Sequence, residues 1–211
     1  MENAAAGRKQ KSMDTSKIVK IGMLSAVSVV LMMFEFALPI FPSFLQIDIS
    51  DLPALVGAVT MGPTAGVLIE LVKNVLHLFK TSTAGVGEVA NFLVGIALVL
   101  PTGIIYKKQR NIAGFIMGVG LGCVLMVLTA CAFNYYVLIP AYAVAFGMPV
   151  QAFVDIANAI NSSVVDLKTL VFFAVAPFNI IKERTPFSMA FPVGRAIICS
   201  SGTKPKGGII P

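Results

Sequence analysis

The chain has no tryptophan, one histidine, three cysteines and only 12% charged residues in a length of 211. These shortages close off classes of chemistry. A single imidazole, His77, cannot build a histidine-based metal centre. Cys123, Cys131 and Cys199 are odd in number and widely spaced, with no CxxC pair or metal-ligand spacing. Cys123 and Cys131 fall in one apolar helix, where they pack as small hydrophobes. A GxxxxGK[ST] phosphate loop is absent, so nucleotide hydrolysis by that route is excluded. Energy for any active transport must then come from a partner or an ion gradient. GxSxG, HExxH, internal repeats and low-complexity segments are missing as well.

A soluble domain carries about a quarter charged residues. This chain has half that share and is 57% hydrophobic. About 20 apolar residues cross a bilayer, and Ile18 to Leu38, Val89 to Tyr106 and Ile112 to Phe133 fit. The protein is integral to a membrane. Its first apolar run is too long for a signal-peptide core and lacks a small-x-small cleavage site, so it reads as a retained span.

Net charge is +6, and its placement matters more than its sum. Arg8, Lys9, Lys11, Lys17 and Lys20 precede or open the first span; Lys107, Lys108 and Arg110 form a second cluster. Short loops rich in Lys and Arg stay in the cytoplasm. Both clusters are then inside, with an even number of crossings between them. These charges flank spans without aromatic interleaving, which argues against nucleic-acid binding.

The chain therefore reads as a polar cytoplasmic tail over 1–16, a transmembrane domain over 17–182, which the resemblance given below makes substrate-binding, and an atypical segment over 183–211. Span one runs from about Lys17 to Leu38 and is ended by Pro39 and Pro42. Gly62-Pro63 divides the next apolar segment into a short span, 52–62, and a third, 63–80, because proline suits a first helical position. The basic cluster at 107–110 requires that division. Span four covers about 87–106 and span five 112–133. An external loop with one short helix follows, and Pro177 is placed to open a last helix. A sixth crossing would have to carry Glu183, Arg184, Pro186 and Pro192, and buried charges and interior prolines both oppose it.

Several polar groups interrupt the apolar background. Glu70, Lys73, Asn74 and His77 share one face of span three. They form either a wet pathway or proton relay, or a Glu70–Lys73 ion pair with Asn74 and His77 near the outer interface. Asn134 with Tyr135, and Asn179 with Lys182, sit in the outer parts of spans. They suit the polar edge of a flat heterocycle held between apolar walls, or else helix capping and a snorkelling lysine. Gly114, Gly118 and Gly122 recur every four residues, as do Gly22 and Ala26. Such smooth patches let helices approach closely in lipid, within the bundle or against a partner. FLQIDISDLPALVG, Phe44 to Gly57, is either a solvated turn or a polar lid.

FPSFLQIDISDLPALVGAVTMGPTAGVLIELVKNVLHLF, TSTAGVGEVANFLVG, FNYYVLIPAY and TLVFFAVAPFNIIK occur in this order. Together they closely resemble the riboflavin-specific substrate-binding subunits (S components) of energy-coupling factor (ECF) transporters, over roughly Ile18 to Lys182. The resemblance implies an all-α, six-helix transmembrane bundle of ECF S-component type, whose sixth helix is doubtful here. The family's apolar continuation after PFNIIK is absent, as a shifted reading frame would produce. It implies no enzymatic activity and no cofactor, with riboflavin as transported ligand, captured from outside at a prokaryotic cell membrane. The implied partners are the lipid bilayer, a transmembrane coupling subunit and two ATP-hydrolysing subunits. Phe44, Leu45, Gln46 and Asp48 would close over the vitamin. Asn134, Asn179 and Lys182 would contact its ring, with Asn91 and Gly95 as further candidates. Gly22, Ser25 and Ala26 would dock on the coupling subunit, and Asp51 would cap the second helix. An S component for another vitamin and a membrane-embedded enzyme built on Glu70, Lys73 and His77 are the competing readings; the second lacks a further acid, metal cluster or nucleophile.

Overall fold

The computed structural model describes residues 14–182 apart from 82 and 84, together with 192. The expectations for the polar tail before residue 14, for Cys199 and for a sixth span completed beyond Lys182 lie outside the described residues.

Eight α-helical segments follow in order: α1 Thr15–Met32, α2 Asp51–Met61, α3 Pro63–His77, α4 Val86–Gln109, α5 Ile112–Phe133, α6 Ile139–Ala145, α7 Val150–Asn158 and α8 Leu167–Leu170. Among the described residues three helical runs are long and apolar enough to cross a membrane: Thr15–Met32, Val86–Gln109 and Ile112–Ala145. The expected division at Gly62-Pro63 is present. Gly62 has φ of 101°, a left-handed conformation that costs glycine least, and Pro63 opens α3.

The fold is a helical bundle, as expected, with one small strand pair. α1 ends at Met32, short of the expected Leu38, and Phe36–Ala37 pairs antiparallel with Gln46–Ile47. This two-stranded ribbon takes up backbone groups that a longer helix would have satisfied internally. It also brings Glu35 out of the span and into the connecting segment.

Two boundaries move for one reason. The helix expected to stop at Phe133 continues through a π turn, Asn134–Leu138, into α6. The last helix opens at Leu167, not at Pro177, and runs through a second π turn, Val171–Val175, to residue 182. A proline ring collides with the carbonyl four residues earlier in regular α-helix. Those carbonyls belong to Tyr136 for Pro140 and Phe173 for Pro177, and both lie within the wider-wound π turns. The start at Leu167 is set by a capping box. Asp166 Oδ1 accepts from Thr169 N–H at 2.7 Å, and Thr169 Oγ1 accepts from Asp166 N–H at 2.9 Å.

α4 and α5 pack most intimately. A Cβ added to Gly122 would lie 2.6 Å from the Leu98 carbonyl oxygen, and one on Gly118 would lie 3.0 Å from Thr102 Cα. The glycine stripe is therefore internal packing. On α1, Gly22 and Ala26 are exposed and nothing lies within 4 Å of a Cβ placed on Gly22. Ser25 instead faces the bundle interior and is only 1% exposed, so it does not share their surface.

Candidate ligand-binding site

The segment between α1 and α2 folds back over the bundle. Phe41, Leu45 and Ile47 are buried against Leu138, Ile139, Tyr142 and Phe178. Phe41 meets Phe178 edge-on at 5.3 Å, and Phe44 meets Phe153 at 5.7 Å. The polar stretch is thus no solvated turn: its apolar residues anchor it, and beneath it lies a cavity of about 430 Å³.

Phe44, Leu45, Gln46, Asp48, Asn91, Asn134, Asn179 and Lys182 all line this cavity. They come from four separate elements. Gly95 does not line it. A Cβ there would meet Glu70 Oε2 at 2.5 Å, so Gly95 makes room for that buried side chain. Asn134 and Asn179 are not helix caps. Their Nδ2 groups donate to Ala130 O and Val175 O, each at 2.8 Å and one turn back. That fixes both amides in mid-helix, and Asn134 Oδ1 is left buried with no hydrogen-bond partner; Asn91 Oδ1 is in the same state.

Lys182 is buried and does not snorkel. Its Nζ donates to Asp48 Oδ2 at 3.0 Å and lies 4.0 Å from Asp51 Oδ2. Asp48 also accepts from the Ser50 backbone N–H at 2.8 Å and from the Ser50 hydroxyl, and the Ser28 hydroxyl donates to Ser50 O. Burial opposes charge on the Asp48 carboxyl. The Lys182 and Lys73 ammonium groups and the Ser50 bonds override it and hold the carboxyl below the usual carboxylate range.

Asp51 does not cap α2. Its carboxylate accepts from Lys73 Nζ, deep between the helices. Glu70 Oε2 lies 2.7 Å from the same ammonium, an ion-pair contact without hydrogen-bond alignment. The expected Glu70–Lys73 pair therefore exists, but in the bundle interior: Asn74 and His77 are buried too.

A second polar group lines another part of the cavity, and the sequence reading missed most of it. His77 Nδ1 lies 3.0 Å from Glu88 Oε1, and His77 Nε2 lies 3.8 Å from Glu35 Oε1. The Thr81 and Thr83 hydroxyls both donate to Glu88 Oε2 at 3.0 Å. The Gln46 amide, its nitrogen turned toward Glu35, is 3.2 Å from both carboxylate oxygens. Burial raises the Glu35 carboxyl above its usual range, against the opposing pull of His77. Glu35, His77, Thr83, Glu88 and Tyr142 all line the cavity. Glu88 and Asn91 stand one turn apart on α4, a helical spacing that could have linked them. Nothing local ties Glu35 to His77.

Among the described residues no group of three or more His, Cys, Asp or Glu could hold a metal ion. The cavity instead offers apolar walls, two partnerless amide oxygens and one ammonium, a set that orients a flat, neutral, hydrogen-bonding ligand.

Known proteins resemble this chain in sequence and fold. The family model for the ECF transporter substrate-specific component matches residues 16–185. The riboflavin transporter RibU of Staphylococcus aureus is 36% identical over 177 residues, covering 83% of this chain and 87% of that protein. The riboflavin transporter FmnP of Bacillus subtilis is 37% identical over 173 residues, covering 81% and 85%. A solved structure of the S component of a bacterial ECF transporter superposes with a TM-score of 0.69 at 30% identity, covering 90% of this chain and 98% of that one. The chain belongs to the substrate-specific components of ECF transporters, membrane transport subunits rather than enzymes.

Proposed function

We infer that this chain captures riboflavin in the cavity beneath the α1–α2 segment and delivers it to an ATP-driven ECF module. The observation that carries the reading is the convergence of Asn134, Asn179, Lys182 and Asp48 on one cavity that Phe44, Leu45, Leu138 and Phe178 also line. The isoalloxazine ring presents a short polar edge with an N–H donor between two carbonyl acceptors. Asn134 Oδ1 supplies the acceptor, and Lys182 supplies a donor. Phe44, Leu45 and Phe178 supply apolar cover.

The module comprises a transmembrane coupling subunit and two ATPase subunits, and Gly22 and Ala26 on α1 form the smooth surface for the coupling subunit. Basic residues at 107–110 and before α1 place both ends of the α1–α4 run in the cytoplasm. The cavity then opens outward at a prokaryotic cell membrane.

Riboflavin titration of the detergent-purified chain, read by quenching of flavin fluorescence, tests the reading. Tight binding is expected in the wild type. Asn179→Ala and Lys182→Ala each weaken it, because a buried partner loses its hydrogen bond, by about 1–3 kcal/mol. A folded sample that leaves the fluorescence unchanged removes the proposal.

A further inference from the structure

The polar face of α3 runs against α4. A Cβ on Gly95 would meet Glu70 Oε2 at 2.5 Å, and His77 Nδ1 lies 3.0 Å from Glu88 Oε1. These two contacts fix an antiparallel register in which Asn74 falls opposite Asn91. The side-chain oxygens of this stretch are acceptors without donors. Glu70 Oε1 and Oε2, Asn74 Oδ1 and Asn91 Oδ1 are buried and accept no hydrogen bond. Glu70 is wholly buried and Asn74 is 4% exposed. The Asn74 amide is held in place by its own nitrogen, which donates to Glu70 O at 2.9 Å.

Charge is out of balance at the same place. Glu70 belongs to a contiguous buried group with Asp48, Asp51, Lys73 and Lys182, joined by ion pairs and each at most 7% exposed. Three carboxylates face two ammonium groups, and one negative charge is left over. Between Asn91 and Gly95, α4 brings no charged residue to offset it. An uncompensated charge in an apolar interior is costly. A water molecule would satisfy the acceptors but not the charge. Asp48 accepts from Ser50 and Lys182, and Asp51 accepts from Lys73. Glu70 accepts from nothing, so the excess falls on Glu70. Its Oε2 touches Lys73 Nζ at 2.7 Å, which leaves Oε1 for another partner.

We propose that Glu70 Oε1, Asn74 Oδ1 and Asn91 Oδ1 bind one small monovalent cation between α3 and α4. Its donors are oxygens only, one carboxylate and two amides, a set that suits a hard cation and not a transition metal. A divalent ion would overshoot the single excess charge beside the Lys73 ammonium. The close approach of the helices at Gly95 favours sodium over the larger potassium. Asn91 also lines the cavity, which gives the ion its way in. The bound ion closes the charge balance and cross-links α3 to α4.

Thermal unfolding of the detergent-purified full chain tests the site, in sodium, potassium or choline chloride at equal ionic strength. Sodium at about 100 mM is expected to raise the unfolding temperature by at least about 2 °C over choline, with a smaller rise in potassium. Glu70→Gln should lose most of that difference. Asn74→Ala should lose it too, and because it leaves the ion pairs in place it serves if Glu70→Gln does not fold. Equal unfolding temperatures of the wild type in sodium and choline overturn the site, as does a sodium effect that persists in the folded variants. Infrared spectra of the wild type and Glu70→Gln provide a second check. A protonated-carboxyl band that is present in the wild type in sodium and lost in Glu70→Gln would show that a proton balances the charge, and would overturn the cation. The readout is stability, so it stands apart from riboflavin binding.

Discussion

The deep and outer ends of the cavity use the same few residue types to opposite effect. At depth, Asp48 meets Lys182 and Lys73 meets both Asp51 and Glu70, so each of three carboxylates has an ammonium in contact. At the mouth, Glu35 and Glu88 share only His77. Matched buried pairs fix geometry, because each charge left alone would be costly. The deep network ties the root of the α1–α2 segment, residues 48–51, to α3 and to the last helix. The other end is held by the hydrogen bonds that Glu88 makes with Thr81, Thr83 and His77, while Glu35 lies 3.8 Å from His77. One end is thus a fixed anchor, and the other is held without an ammonium in contact.

The largest expected effect that sharpens this contrast is at Lys73. It is fully buried against Asp51 and Glu70. Lys73→Ala leaves Glu70 without an ammonium and Asp51 with only Lys182 at 4.0 Å, and should lower stability by about 3–5 kcal/mol, read as a fall in thermal unfolding temperature in detergent. A loss no larger than that of Glu35→Gln would erase the distinction between the two ends.

Asn179→Ala and Lys182→Ala come next, at about 1–3 kcal/mol of riboflavin affinity each. Lys182→Ala should be the more damaging to folding, since it also strips Asp48 of its partner. Equal unfolding temperatures for the two variants would show that the Asp48–Lys182 pair is not an anchor.

Acid provides a third test. The Asp48 carboxyl is held below its model-peptide value of 3.8. A depressed carboxyl contributes stability that is present above the unfolded value and lost as pH falls through the folded one. Unfolding temperature should therefore hold between pH 7 and about pH 5 and drop below about pH 4. Asp48→Asn should flatten that drop; an unchanged profile would remove Asp48 as its source.

Glu35→Gln should have the smallest effect on folding, within about 0.5 kcal/mol, as for partly exposed substitutions generally. A Tm shift as large as that of Lys73→Ala would make the mouth a structural anchor too.

Much of the fold was legible because apolar runs and punctuating residues carry local physics. Gly62-Pro63 divided α2 from α3, and the start of α5 at Ile112 was read correctly, although its helical run continues past Phe133. The misread boundaries have specific causes. Pro177 was taken as a helix start because proline favours the first turn, yet the π turn at Val171–Val175 absorbs it in mid-helix. The better signal was Asp166 with Thr169, whose spacing allowed a capping box. α1 stopped early because a long-range pairing, Phe36 with Ile47, competed for its last turn. Among site residues, Asn134, Asn179 and Lys182 stood out as polar groups in apolar spans, and the other five that line the cavity were reached through motif resemblance. Gly95 failed because motif position does not say which face of a helix meets the void.

Composition and charge placement alone determined that this chain lives in a bilayer, since hydration of apolar side chains and charges is paid residue by residue. The same local bookkeeping located most helices. Only the tertiary structure decided which polar residues are partners: whether Asp51 caps or bridges, whether Lys182 snorkels or turns inward, and that Glu35, His77 and Glu88 surround one opening. Those outcomes depend on which helices pack side by side, and coulombic and hydrogen-bond energies act through space over a few ångströms, with no regard to separation along the chain.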